Sequence, residues 1–160
     1  MDTEDLLRLL NANDVDYVII GASAFPVHGY SRTTLDIDIF IRPERQNAER
    51  VLKALEQFGY DVTDLSVEDL LTRKVLMRQY VTETDVHPFV AGTTFEKVWA
   101  NKIEDLYEDT PAAFAGLDDL IAMKEAAGRP QDGEDLRYLR ELKRRRDQEE
   151  RSPSSGPDGP

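Results

Sequence analysis

The apolar positions of the chain change period several times, and each change marks an element. Leu6, Leu7 and Leu10 recur at helical spacing behind an acidic first turn, which predicts a helix over residues 2–12. Tyr17-Val18-Ile19-Ile20 is an unbroken apolar run closed by Gly21, the pattern of a short buried strand. Residues 22–30 read as a short helix, with Pro26 tolerated in the first turn, where its missing N–H is not needed. Over residues 35–41 the period drops to two. Leu35, Ile37, Ile39 and Ile41 share the face expected to enter the core, and Asp36, Asp38 and Phe40 share the other. Helical period returns over residues 44–58, with Val51, Leu52, Leu55 and Phe58 on one side and Gly59 as the stop.

Further along, Ser66-x-x-Asp69 has the form of a capping box and predicts another short helix. Residues 75–89 read as one extended segment ending near Pro88. Residues 95–100 suit a helical turn, and residues 103–115 are ambiguous, with room for one more short strand. A helix over 117–127 stops at Gly128, and a last helix runs over residues 132–146. The order αβαβαβαβαα implies an α/β (α+β) domain over residues 1–146, a small mixed sheet flanked by helices with further helices at the C-terminal end. Residues 147–160, closing in RSPSSGPDGP, are expected to form a disordered tail.

Composition narrows the function classes. The 160 residues suit one core. Cysteine is absent, which excludes disulfides and thiolate metal sites and agrees with a cytoplasmic location. No apolar run approaches ~18 residues, so no membrane-spanning helix is expected. The first ten residues are acidic where a signal peptide is basic. With 32 acidic against 20 basic residues the net charge is −12, the wrong sign for a general DNA binder. A small nucleotide held through metal ions escapes that objection, because the cations supply positive charge locally.

The aspartates inside the 35–41 strand need an explanation, since strands deplete Asp and an unpaired buried carboxylate is costly. Side chains two residues apart on a strand stand ~6.5–7 Å apart. At an effective dielectric of ~20 the repulsion between Asp36 and Asp38 is roughly 2.5 kcal/mol. A cation between them reverses the sign, and Mg²⁺ takes such carboxylate oxygens together with phosphate oxygens. A solvated outer face would tolerate the same pair, so the spacing alone leaves both readings open. Gly21-Ala22-Ser23 supplies a second feature: small residues at a strand end, where a phosphate can approach backbone N–H groups and the Ser23 hydroxyl can add a donor. A plain tight turn also needs its glycine. The two features are nonetheless complementary, one suited to phosphates and the other to the cations that neutralise them.

On these residues the segment YVIIGASAFPVHGYSRTTLDIDIFI, 17–41, resembles the signature of the minimal nucleotidyltransferases of the DNA polymerase beta superfamily. His28-Gly29, Arg32, Thr34 and Asp36-Ile37-Asp38 are similar to the AbiEii-type toxin group and related small standalone members. LDDLIAMKEAAGRPQDGEDLRYL, 117–139, resembles the C-terminal segment of that group. One departure is Ala22, standing between Gly21 and Ser23 where the commoner cradle is Gly-Gly or Gly-Ser; it shifts the hydroxyl by one position.

The resemblance implies a nucleotidyltransferase fold and transfer of a nucleoside monophosphate from an NTP to a hydroxyl acceptor, an RNA or tRNA end or a protein. It implies two Mg²⁺ ions, with Mn²⁺ as an alternative, on Asp36, Asp38 and a third acid from a later strand. Asp85 is the candidate for that third acid and Glu83 the runner-up. Gly21, Ala22, Ser23, Arg32 and Lys124 are the implied nucleotide-binding residues, with Arg129 and Asp132 weaker candidates. His28 reads as a packing or supporting residue, His87 as structural or as a neighbour of the metals, and the basic run 143–146 as a solvated helix face or a contact for RNA or a partner. The toxin group further implies a toxin–antitoxin or phage-defence setting, with an antitoxin or paired toxin subunit as partner. A catalytically silent nucleotide-binding or partner-binding module on the same fold is the rival reading.

Overall fold

A computed structural model of the chain describes residues 1–79 and 81–151. Asp2 caps the first helix, α1 (Thr3–Ala12): its carboxylate accepts from the Asp5 N–H at 3.0 Å, and Asp5 returns the bond at 2.9 Å. The box satisfies donors that every helix start leaves over. Strand β1 (Tyr17–Ile20) and strand β2 (Asp36–Ile41) follow, then helix α2 (Arg45–Phe58), which ends at Gly59 in the left-handed conformation. Helix α3 (Val67–Thr72) opens on the Ser66/Asp69 capping box. Next come β3 (Val75–Met77), β4 (Glu83–His87), α4 (Phe95–Ala100), β5 (Ile103–Tyr107) and β6 (Thr110–Phe114). Helices α5 (Leu117–Ala127) and α6 (Gly133–Arg151) close the described chain.

The strands form one mixed sheet in the order β3-β4-β2-β1-β6-β5. β2 runs antiparallel to β1 and parallel to β4, and β1 runs parallel to β6. The core joins Leu6, Leu7 and Leu10 of α1, Val51 and Leu55 of α2, and Ile37, Ile39 and Ile41 of β2. The α/β class with a small mixed sheet and C-terminal helices is therefore the architecture of this chain.

Several elements differ from the sequence reading, each for a physical reason. Residues 22–30 are two single 3₁₀ turns, Gly21–Ala24 and Pro26–His28, rather than a helix. Gly21 and Gly29 both have positive φ, and Pro26 lacks the N–H that would carry a helix through. Residues 75–89 form an antiparallel hairpin, β3–β4, rather than one extended segment. Residues 103–115 form a second hairpin, β5–β6, whose Glu108 has a φ of 54°. Glu4 of α1 secures that turn by accepting from the Asp109 N–H at 3.0 Å and the Thr110 hydroxyl at 2.8 Å.

Leu35 lies outside β2 and is exposed, while Phe40, on the parity of the aspartates, is buried against Phe95 of α4 with ring centroids 5.3 Å apart. Both faces of the sheet are thus covered at that end of β2. Helix α6 runs to Arg151, past the expected end at 146, supported by pairs such as Arg144–Glu141 and Arg146–Glu150. The rest of the expected tail, residues 152–160, lies outside the described residues.

Gly92 sets how closely the segment after β4 meets α5. It has a φ of +89°, and a Cβ there would lie 2.5 Å from the Ala122 carbonyl oxygen and 2.8 Å from the Ala126 Cβ. Gly92→Ala should lower unfolding free energy by roughly 2–4 kcal/mol, from the left-handed backbone and the overpacked contact together. Urea denaturation checks this.

Candidate active site

The parallel register of β2 and β4 builds the site. Asp36 stands beside Glu83, Asp38 beside Asp85, and Phe40 beside His87. Alternation along each strand puts Asp36, Asp38, Glu83 and Asp85 on one face, an array of carboxylates in which each strand contributes a pair. Asp38 also pairs with Ile20, the last residue of β1. The turn at Gly21 consequently arches over Asp38. A Cβ on Gly21 would lie 2.8 Å from Asp38 Oδ2, and the backbone φ there is +68°, so glycine is required on both counts.

Side chains that meet the array hold its charge in place. His87 Nε2 lies 2.9 Å from Asp38 Oδ1. An ionised carboxylate only accepts, so this nitrogen carries the proton and fixes the orientation of Asp38. Arg78 donates to Asp85 Oδ1 and also reaches Glu83 at 3.5 Å and Asp36 at 4.0 Å. Lys74 lies 3.8 Å from the second oxygen of Asp85. The hydrogen bond to Asp85 holds the Arg78 guanidinium above its ordinary pKa. The hydrogen bond with Asp36, followed by desolvation, pushes the Glu83 carboxyl upward.

Candidate ligand atoms of Asp38 and Asp85 lie within 4.8 Å of one another, beside the His87 ring. Carboxylate oxygens suit Mg²⁺ and Mn²⁺. The uncovered flank of Asp38 at Gly21, and a guanidinium and an ammonium already drawn to Asp85, show that this cluster accepts positive charge. The residues fit a divalent ion.

Asp36, Asp38 and Asp85 of the array form the floor of a cleft of about 1080 Å³, and Glu83 lies outside its lining. Gly21, Ala22 and Arg32 line it, as do Phe89 and Val90 after β4 and Met123 and Lys124 of α5. Ser23 is not among the lining residues: its hydroxyl points at the Asp36 carbonyl, 3.4 Å away. Arg32 and Lys124 do line the cleft, and both are engaged with acids of its rim. Arg32 binds Asp135 in a fork, Nε to Oδ1 at 2.9 Å and Nη2 to Oδ2 at 3.0 Å. Lys124 Nζ lies 3.0 Å from Asp132 and 3.5 Å from Asp135, and Arg129 closes on Asp132 at 2.8 Å. Tyr30 donates its hydroxyl to Asp135 at 2.9 Å.

Burial pushes the Asp132 and Asp135 carboxyls upward, but their basic partners outweigh it and hold both below the ordinary range. His28 lies apart from the array and donates Nε2–H to the Ala115 carbonyl at 2.8 Å.

Sequence reading undervalued His87 and missed Lys74 and Arg78. Lys74, Leu76 and Arg78 share strand parity across β3, and Leu76 pairs with Asp85. The parity is visible in the sequence; the pairing that makes it matter is not.

A mixed sheet presenting paired acids beside a glycine turn agrees with the nucleotidyltransferase class. Residues 2–145 match the family described as nucleotidyltransferase of unknown function (DUF6036), and the chain belongs to that family. It is a nucleotidyltransferase. A crystal structure of lincosamide antibiotic adenylyltransferase LnuA, bound to lincomycin, aligns with a TM-score of 0.59 and 18% identity. The alignment covers 89% of this chain and 98% of that one, and it shows the shared fold. A search among curated proteins finds no match. No helix among the described residues is long and apolar enough to cross a membrane.

Lys124→Met should destabilise the domain by about 1.5–3 kcal/mol at neutral pH, since it removes a charged hydrogen-bond partner from buried carboxylates. The folded pKa values of Asp132 and Asp135 are depressed, so their pairing stabilises the fold above the unfolded value of about 3.9 and is lost as pH falls through the folded values. The gap between wild type and variant should therefore narrow in acid, read as melting temperature against pH.

Proposed function

We propose that the chain transfers a nucleoside monophosphate from an NTP to a hydroxyl acceptor, with Asp36, Asp38 and Asp85 holding Mg²⁺ or Mn²⁺, two ions in the full site. The observation that supports this most directly is the parallel register that sets Asp38 beside Asp85 under the Gly21 turn. Asp36, Asp38 and Asp85 would hold the ions, whose charge would offset the triphosphate and lower the pKa of the attacking hydroxyl. The flank at Gly21, which has no side chain, and Ala22, which has only a methyl group, admits phosphate oxygens close to the backbone. His87 keeps Asp38 oriented, and Asp85 accepts the proton of the acceptor hydroxyl. The acceptor oxygen forms its bond to the α-phosphorus as the bond to the bridging oxygen breaks, and pyrophosphate leaves with that electron pair. No protein nucleophile is required.

The acceptor is the finer part of the proposal. The sequence resemblance points to an RNA end or a protein, with an antitoxin or paired toxin subunit and a cytoplasmic setting. The rim and the charge favour a different acceptor within the same chemistry. Glu134 adds an acid to a rim where Asp132 and Asp135 are already matched by Arg32, Lys124 and Arg129, and a net charge of −12 repels phosphate backbones. A compact hydroxylated acceptor carrying positive charge fits these features, and the structural neighbour is bound to the antibiotic lincomycin.

Radiolabelled ATP, GTP, CTP and UTP, each with Mg²⁺, should be tested with total RNA, lysate protein and a panel of cationic hydroxylated small molecules. Label is expected to move onto one acceptor class and not to move with Asp38→Asn. Nucleotide binding without transfer to any of them would support the silent module instead. His87→Ala should lower transfer by about 10–100-fold, the usual effect of removing a partner that orients a metal ligand.

A further inference from the structure

Asp85 is the most buried acid of the array, with its side chain 7% exposed, and both of its oxygens already face a cation. Those cations come from one place. Lys74 and Arg78 bracket β3, a strand of three residues at the edge of the sheet, with β4 as its neighbour. Arg78 alone spans Asp85, Glu83 and Asp36, so a single guanidinium serves acids from both β2 and β4. A divalent ion bound by Asp36 and Asp85 needs the same oxygens, and like charges cannot share them at contact distance. A carboxylate as buried as Asp85 cannot be left unpaired between the two occupants.

We infer that Arg78 is a built-in counter-ion that competes with the divalent ion for Asp36 and Asp85, and so sets the metal affinity of this enzyme. The inference rests on the proposed metal role of these aspartates. Arg78 can leave without disturbing the core: its side chain is 38% exposed, and it lines the cleft. A triphosphate entering the cleft offers the departing guanidinium new oxygens. Without nucleotide, metal has to displace Arg78 unaided and binds weakly; with nucleotide, the displaced charge is taken up and metal binds more tightly. Arg78 is thus a residue that tunes the metal site through its ligands.

The test measures Mn²⁺ binding to the full chain by calorimetry and electron paramagnetic resonance, with and without a non-hydrolysable NTP analogue. Arg78→Gln should bind Mn²⁺ at least tenfold more tightly than wild type without nucleotide, and the analogue should enhance its affinity less than it does in wild type. Its melting temperature should fall without metal and recover with Mn²⁺. A merely structural arginine would give weaker metal binding on removal, not tighter. Should Arg78→Gln fail to fold, Arg78→Lys is measured instead, because one ammonium cannot span the same acids, and a smaller tightening is expected. Equal or weaker Mn²⁺ binding in the folded variant overturns the inference while leaving the metal site standing. Absence of Mn²⁺ binding in wild type and variant alike, with or without nucleotide, overturns both.

Discussion

The crowding of like charge on two neighbouring strands is the constraint from which the rest of the site follows. In parallel register β2 and β4 bring Asp38 against Asp85 and Asp36 against Glu83, at the spacing of adjacent strands. Four carboxylates at that spacing repel unless cations or protons relieve them. The chain uses several devices at once: a guanidinium and an ammonium from β3, an imidazole N–H from His87, and a raised Glu83 carboxyl that shares a hydrogen bond with Asp36. Each is adapted to relieve charge without filling the flank of Asp38 that Gly21 leaves uncovered.

A second electrostatic network lines the same cleft. Asp135 of α6 is gripped by Arg32 and Tyr30 from the segment between β1 and β2, and by Lys124 from α5. Asp132 links Lys124 to Arg129 at the α5–α6 junction. The C-terminal helices are in this way tied to the segment between the strands that carries the glycine turn and leads into the acidic strand. Tyr30 adds ring contacts with Phe25 and Tyr138, at 5.3 and 4.8 Å between centroids, so the polar clamp has apolar backing. Floor and wall are therefore built on different principles. The floor gathers acids of two strands around one guanidinium and one ammonium, whereas the wall matches Asp132 and Asp135 with three cations and gains rigidity.

This division suits a nucleotidyltransferase. Chemistry of this kind depends on positioning and on local positive charge, with no covalent step on the protein.

Local features of this chain were readable from residues alone. The two-residue period placed Asp36 and Asp38 on one face of a strand, and the limits of α5 followed from helical spacing and Gly128. Capping at Ser66 and the stop at Gly59 were equally local. Backbone geometry imposes those patterns on neighbours in sequence, so they survive without knowledge of the fold. The hairpins at β3–β4 and β5–β6 did not announce themselves, because their turns lack Asn-Gly or Asp-Gly signals and one is secured by Glu4 from the far end of the chain. The neighbour of Asp38, the capture of Asp85 by Arg78, and the burial of Phe40 against α4 were decided only in three dimensions. Strand register is a long-range property: it is set where both strands satisfy their hydrogen bonds and bury their apolar faces together, and no stretch of sequence contains that sum by itself.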